Sequence, residues 1–136
     1  MSAHRSEVEV LRRRSLGFLD GARVALERGS YDIACFLAEQ SLQLYLKSVL
    51  LEVVGDYPRT HSVRRLLGEL RDVLGSKVLR DFIKANRARL SNLEDAYLMA
   101  RYFVKEYVKE DAEDMVKLVE EVMRVVGEEV GGAGKA

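Results

Sequence analysis

Two groups of side chains in this sequence are of types that could do chemistry together. Gln40, Gln43 and Lys47 fall within about 60° of one another at about 100° per helical residue, and those two glutamines are the only ones in the chain. They interrupt an otherwise apolar helix, so they must be satisfied across a helix interface, by a partner or by a ligand. Gln40 suits an interhelical hydrogen bond or a ligand contact; Lys47 either snorkels to water or reaches an anion. The second group lies on one helical face: Arg101, with Glu94 seven residues before it, Tyr97 four before and Lys105 four after. Arg101 could hold a phosphate while Tyr97 or Tyr102 stacks on a base. It could equally pair with a carboxylate across a bundle or dimer seam.

A secondary basic cluster comprises Arg59, His61, Arg64 and Arg65, near an expected helix N-terminus. Helix N-termini receive phosphates, but Thr60, His61 and Ser62 are also the residue types that cap a helix. Other chemistries lack their patterns. There is no Gly-rich phosphate loop, nucleophile elbow or His-Glu-x-x-His run. Paired carboxylates such as Glu94-Asp95 and Glu113-Asp114 are adjacent on helices and point apart. His4, His61 and the single Cys35 give no metal-ligand spacing, so no metal and no cofactor are expected. Cys35, in an apolar pattern, reads as a buried small hydrophobe and fits a reducing cytoplasm.

The element that positions the first group is residues 31–54, YDIACFLAEQSLQLYLKSVLLEVV, free of Gly and Pro and bounded by Gly29 and Gly55. Apolar nearly all round, it reads as a central helix covered on several sides. A first helix is expected from Ser6 to Arg28, with Ser6 and Glu9 as a capping box, folding back on the central one as an antiparallel hairpin. Ser30 or Asp32 caps the central helix. A loop at residues 55–60 holds the only proline, Pro58. A shorter helix follows from His61 to Leu74, then a short basic helical stretch over 77–90. Ser91 and Glu94 repeat the capping box and open a helix through Glu106. A last helix starts near Lys109–Asp111, where Asp111 can cap and Glu113 and Asp114 suit the first turn. No segment alternates with period two. The expectation is all-α: an up-and-down bundle of four to six helices in one domain over 1–130, with a flexible tail at 131–136.

Composition agrees. With 136 residues, 48% apolar and 32% charged, the chain can bury a core without staples. It has no run long enough to span a membrane and no apolar leader at its start. Its 22 basic and 22 acidic side chains cancel, which argues against a general nucleic-acid binder. Their distribution is uneven: +4 over residues 52–90 (nine basic, five acidic) and −6 over residues 91–130 (five basic, eleven acidic). The middle could form a basic patch, or the halves pair helix to helix or subunit to subunit. Arg outnumbers Lys fifteen to seven, compatible with a heat-tolerant source.

Residues 8–126 resemble the HEPN family of small helical bundles. The resemblance rests on LERGSYDIACFLAEQSLQLYLKSVLL, then PRTHSVRRLL, then LEDAYLMARYFVKEYVKEDAEDM. Matching positions include Tyr31, Cys35, Phe36, Gln40, Lys47, the Thr60-His61-Ser62 start and Ala96-Tyr97 with Ala100-Arg101-Tyr102. The chain departs from the family at Gln43, where a Glu is usual, at Leu44, where a Lys is usual, and at Phe103, where a proline is frequent. The resemblance implies a homodimer that binds a nucleotide or a minimal nucleotidyltransferase partner, through Gln40, Lys47, Tyr97, Arg101 and Tyr102. One branch of the family, metal-independent ribonucleases that include toxins, carries an Arg, four to six residues, then a His. After Arg101 those positions hold Glu106, Tyr107 and Val108, so a non-catalytic module is expected. A ribonuclease centred on Arg101 is the alternative.

Overall fold

The computed structural model describes residues 3–102 and 105–135, with side chains described for 5–99 and 105–132. Its elements are six helices: α1 (Ala3–Glu27), α2 (Tyr31–Val54), α3 (Val63–Leu74), α4 (Lys77–Ala85), α5 (Arg87–Tyr102) and α6 (Lys109–Lys135). No strand occurs among the described residues. None of these helices is long and apolar enough to cross a membrane.

α2 is the axis of the bundle, packing on α1, α3, α5 and α6. Leu42, Leu46, Val49 and Leu50 on its several faces are all but sealed from solvent. That answers its all-round apolar pattern, though Ile33 in its first turn stays exposed. α1 folds back along it through a joint of three residues, Arg28 to Ser30. Two buried serines tie this hairpin together: Ser15 Oγ donates to the Ser41 carbonyl at 2.7 Å, and Ser41 Oγ to the Ser15 carbonyl at 2.8 Å. The exchange satisfies both hydroxyls where two backbones come close, and it locks the register of α1 against α2.

The starts of α1 and α5 differ from the sequence expectation, while α6 starts at Lys109, inside the expected boundary. α1 begins at Ala3, so Ser6 lies inside the helix rather than at its cap. The basic stretch over 77–90 is cut at Asn86, whose side-chain amide donates to the Phe82 carbonyl at 2.9 Å. α5 therefore starts at Arg87, and Ser91 caps nothing. At α6, Asp111 acts from within the first turn, its carboxylate accepting from the Val108 N–H at 3.1 Å. α5 ends at Tyr102 instead of Glu106, and α6 continues through Gly131 and Gly132 to Lys135.

Part of the charge resolves into pairs between helices. Arg89 on α5 bonds Asp114 at 2.8 Å and Glu121 at 3.1 Å, both on α6. Arg64 on α3 bonds Glu94 on α5 at 2.7 Å, and Arg23 on α1 bonds Glu120 on α6 at 2.6 Å.

Candidate functional site

The polar strip of α2 is built around a residue whose importance its sequence setting conceals. Glu39 is fully buried, and both its carboxylate oxygens are occupied. Gln40 Nε2 donates to one at 2.8 Å and Gln43 Nε2 to the other at 3.0 Å. Burial pushes the Glu39 carboxyl up to about 7, with Glu94 adding to the rise; the two amide hydrogen bonds and Lys47 oppose it. A lone Glu amid apolar residues reads as a surface position; the signal that could have exposed it is the i, i+4 pairing with Gln43.

From Gln43 the network leaves α2. Its Oε1 accepts from Lys47 Nζ at 3.2 Å and faces His61 Nδ1 at 3.0 Å, while its Nε2 also reaches the His61 carbonyl at 3.4 Å. Lys47 is half-buried and lies 5.6 Å from the centre of the Tyr57 ring. Burial lowers its ammonium from the ordinary lysine value, Glu39 opposing and Arg59 adding. Packing thus turns Gln40 and Gln43 inward, onto one buried carboxylate, and Lys47 bonds Gln43 beside them.

His61 joins this strip to α5. Its ring stacks on Tyr97, with centroids 4.9 Å apart and planes 17° from parallel. Tyr97 stacks in turn on Phe36 of α2 at 6.3 Å. Beside the stack opens a cavity of about 270 Å³ lined by Thr60, His61, Ser62, Glu94, Tyr97 and Leu98. A wider groove of about 620 Å³ lies elsewhere, between the start of α1 and the end of α2, where Arg12 and Glu52 pair across it.

The basic cluster is not a focused anion site. Ser62 caps α3, accepting from the Arg65 N–H at 3.1 Å, so His61 is free of that duty. Glu94 already occupies the α3 N-terminus. It accepts from the Ser62 hydroxyl, from the Arg64 N–H at 3.3 Å and from the Arg64 guanidinium at 2.7 Å. Burial alone would raise the Glu94 carboxyl, but these bonds outweigh it and hold it below the usual value. A protein carboxylate thus stands where a phosphate would bind. Arg59 and Arg65 are exposed.

Of the residues expected in the site, Gln40, Lys47 and Tyr97 come together, with His61 as the link between α2 and α5. Lys105 does not share the Tyr97 face, because it lies beyond the end of α5 and over the Tyr107 ring at 4.8 Å. The backbones of Arg101 and Tyr102 belong to α5, while their side chains, like Phe103, lie outside the described residues. Among the described residues no His, Cys, Asp and Glu cluster could hold a metal ion.

Comparison with known proteins places this geometry in a family. The structure is similar to that of TT1696 from Thermus thermophilus, with a TM-score of 0.71 and 23% identity over 95% of this chain and 99% of that one. It is also similar to ST0689, an archaeal HEPN homologue, with a TM-score of 0.62 and 24% identity over 93% and 97% of the two chains. These likenesses concern the fold. A search of curated proteins found no match. The model of the HEPN domain matches residues 8–130, nearly the whole bundle, and the chain belongs to the HEPN domain family.

Proposed function

We propose that this HEPN domain is a non-catalytic module that binds a nucleotide, with the base placed against His61 and Tyr97. The observation that carries the reading is the His61–Tyr97 stack at the edge of a cavity of about 270 Å³. That volume suits a base-sized group rather than a larger ligand. Aromatic faces accept any base, and the Thr60 and Ser62 hydroxyls beside them can meet a base edge. Lys47, Gln40 and Glu39 bear on the site through Gln43, which bonds His61, and Arg101 and Tyr102 on α5 supply the phosphate contact and a further ring. The reading extends to a homodimer and to a minimal nucleotidyltransferase as protein partner, for which the exposed Leu98 on the cavity rim offers apolar surface. The absence of a His separated from Arg101 by four to six residues supports a binding role over RNA cleavage.

Calorimetry with ATP, GTP, CTP and UTP tests the nucleotide half. Binding is expected in the wild type, weakened several-fold in Tyr97→Ala and in Arg101→Ala. No heat at millimolar nucleotide would remove it. Co-purification with a nucleotidyltransferase encoded beside the gene tests the partner half, and an untouched nucleotidyltransferase in the flow-through would remove that.

A further inference from the structure

The hydrogen bonds around Gln43 fix its orientation toward His61, which lines the cavity. A glutamine amide can be turned either way, and which end faces which neighbour follows from what the neighbours can do. Lys47 Nζ has protons to give, so the Gln43 atom 3.2 Å from it is the carbonyl oxygen. The His61 carbonyl can only accept, so the atom 3.4 Å from it is the amide nitrogen. Glu39, whose other oxygen takes the Gln40 amide, demands the same orientation. Three neighbours, two on α2 and one in the segment before α3, therefore agree.

His61 Nδ1 stands 3.0 Å from that same Gln43 oxygen. Two lone pairs cannot face each other at this distance without losing a hydrogen bond. Nδ1 must carry the proton. In the neutral ring Nε2 is then a bare acceptor, and no described residue bonds it. His61 is exposed and lines the cavity beside Tyr97.

We infer that Lys47 and Glu39, acting through Gln43, hold His61 in the Nδ1–H tautomer, so that Nε2 selects a ligand bearing an N–H donor on its edge. Resting on the nucleotide reading above, this adds the class of base: one with an exocyclic amino group beside the stacked ring. His61 is the specificity-determining residue, and Gln43 positions it.

The tautomer can be read without any ligand. In a His4→Ala chain His61 is the only imidazole, and long-range proton–nitrogen correlation at about pH 8.5, where an imidazole is neutral, distinguishes a protonated nitrogen from a bare one. A protonated Nδ1 and a bare Nε2 are expected; the reverse would overturn the inference. The ligand class is read by calorimetry with ATP against the triphosphate of purine riboside, which lacks the amino group. About a tenfold preference for ATP is expected, reduced to less than about twofold in Gln43→Leu. Equal affinity of the wild type for both would overturn the selection while leaving nucleotide binding intact. Binding of neither would end the nucleotide reading and the selection together, with the tautomer still decided by the spectrum. The wild-type measurements stand whether or not Gln43→Leu folds.

Discussion

Glu39 and Gln43 sit one turn apart on α2, and the amide of the second donates to the carboxylate of the first at 3.0 Å in the middle of the bundle. Each needs the other. Among the described residues the carboxylate has no other side-chain donor besides Gln40, and the amide is oriented in part by the carboxylate. The hydrogen bonds offset much of the cost of burying a charge but do not cancel it, which is why desolvation still leads and the carboxyl stays up near 7.

That imbalance has a signature in stability. Between the ordinary value of 4.5 and about 7, the folded chain binds a proton at Glu39 that the unfolded chain has released. Stability therefore falls as pH rises through that window and levels off above it, by about 3 kcal/mol in all. Glu39→Gln keeps the shape and an oxygen for Gln43 and has nothing to titrate. Urea unfolding at several pH values is expected to show this slope in the wild type and to lose Glu39's share of it in the variant. The variant should be the more stable of the two at about pH 8. Parallel profiles for the two proteins would show that the charge costs nothing where it sits.

Glu94 is the opposite case. Its carboxylate gathers the Ser62 hydroxyl, the Arg64 N–H and the Arg64 guanidinium, and is held below the usual carboxylate range. Its contribution is present at neutral pH and lost as pH falls through its folded value. Glu94→Ala is expected to cost about 2 kcal/mol, because it strips three donors joining α5 to the start of α3. Arg64→Ala should cost about 1 kcal/mol, since the arginine is half-exposed and water replaces part of what it gives. Chemical denaturation gives both numbers; an Arg64→Ala loss equal to or above that of Glu94→Ala would mean the guanidinium, not the helix terminus, is the main partner.

These two carboxylates also mark what could be seen in the sequence. α2 was legible to the residue because its apolar run has no breaker between Gly29 and Gly55. The central place of α2 followed from that run, while the other loops and caps left the count at four to six helices, of which six form. Glu94 was visible too, but as the third position of a box on Ser91. No Gly or Pro announces the break at Asn86, so the local pattern suggested a helix start where the chain is already helical. The bond that Glu94 makes instead crosses thirty-two residues to Ser62, and only packing of α3 on α5 creates it. The same holds for the site. Gln40 and Lys47 were recognisable as polar residues out of place, and Tyr97 as a candidate ring. Glu39 and His61 had to be brought together by the turn of the chain between α2 and α3.

Tyr107 presents a deficit rather than a bond. Its side chain is buried, and its hydroxyl has no hydrogen-bond partner among the described residues. Burial raises that hydroxyl to about 12, the neighbouring Cys35, Asp95, Asp111 and Asp32 adding to it, so it stays protonated. A buried O–H that bonds nothing lowers stability. Tyr107→Phe keeps the ring beneath Lys105 and removes only the oxygen. Its unfolding midpoint is expected to rise, by an amount equivalent to about 1 kcal/mol. A fall of the same size would reveal a partner for the hydroxyl.

Two glycines of the α1–α2 hairpin should respond to alanine with opposite signs. Gly17 lies inside α1, and a Cβ built there meets nothing within 4 Å. Alanine adds no contact and no clash; it only reduces the freedom lost on forming the helix, so Gly17→Ala should stabilise by about 0.5–1 kcal/mol. Gly29, at the joint before α2, has φ of 77°, and the nearest atom to a Cβ there is the Tyr31 hydroxyl at 3.8 Å. Space is available, but the backbone angle is not one that an alanine adopts readily, and Gly29→Ala should cost about 1–2 kcal/mol. Thermal unfolding of the two variants separates the effects cleanly, because neither touches the polar network. If Gly17→Ala were destabilising, its exposed face of α1 would have to be covered in solution, as it would be in the proposed homodimer. Repeating the melt over a range of protein concentrations would then show the midpoint rising with concentration.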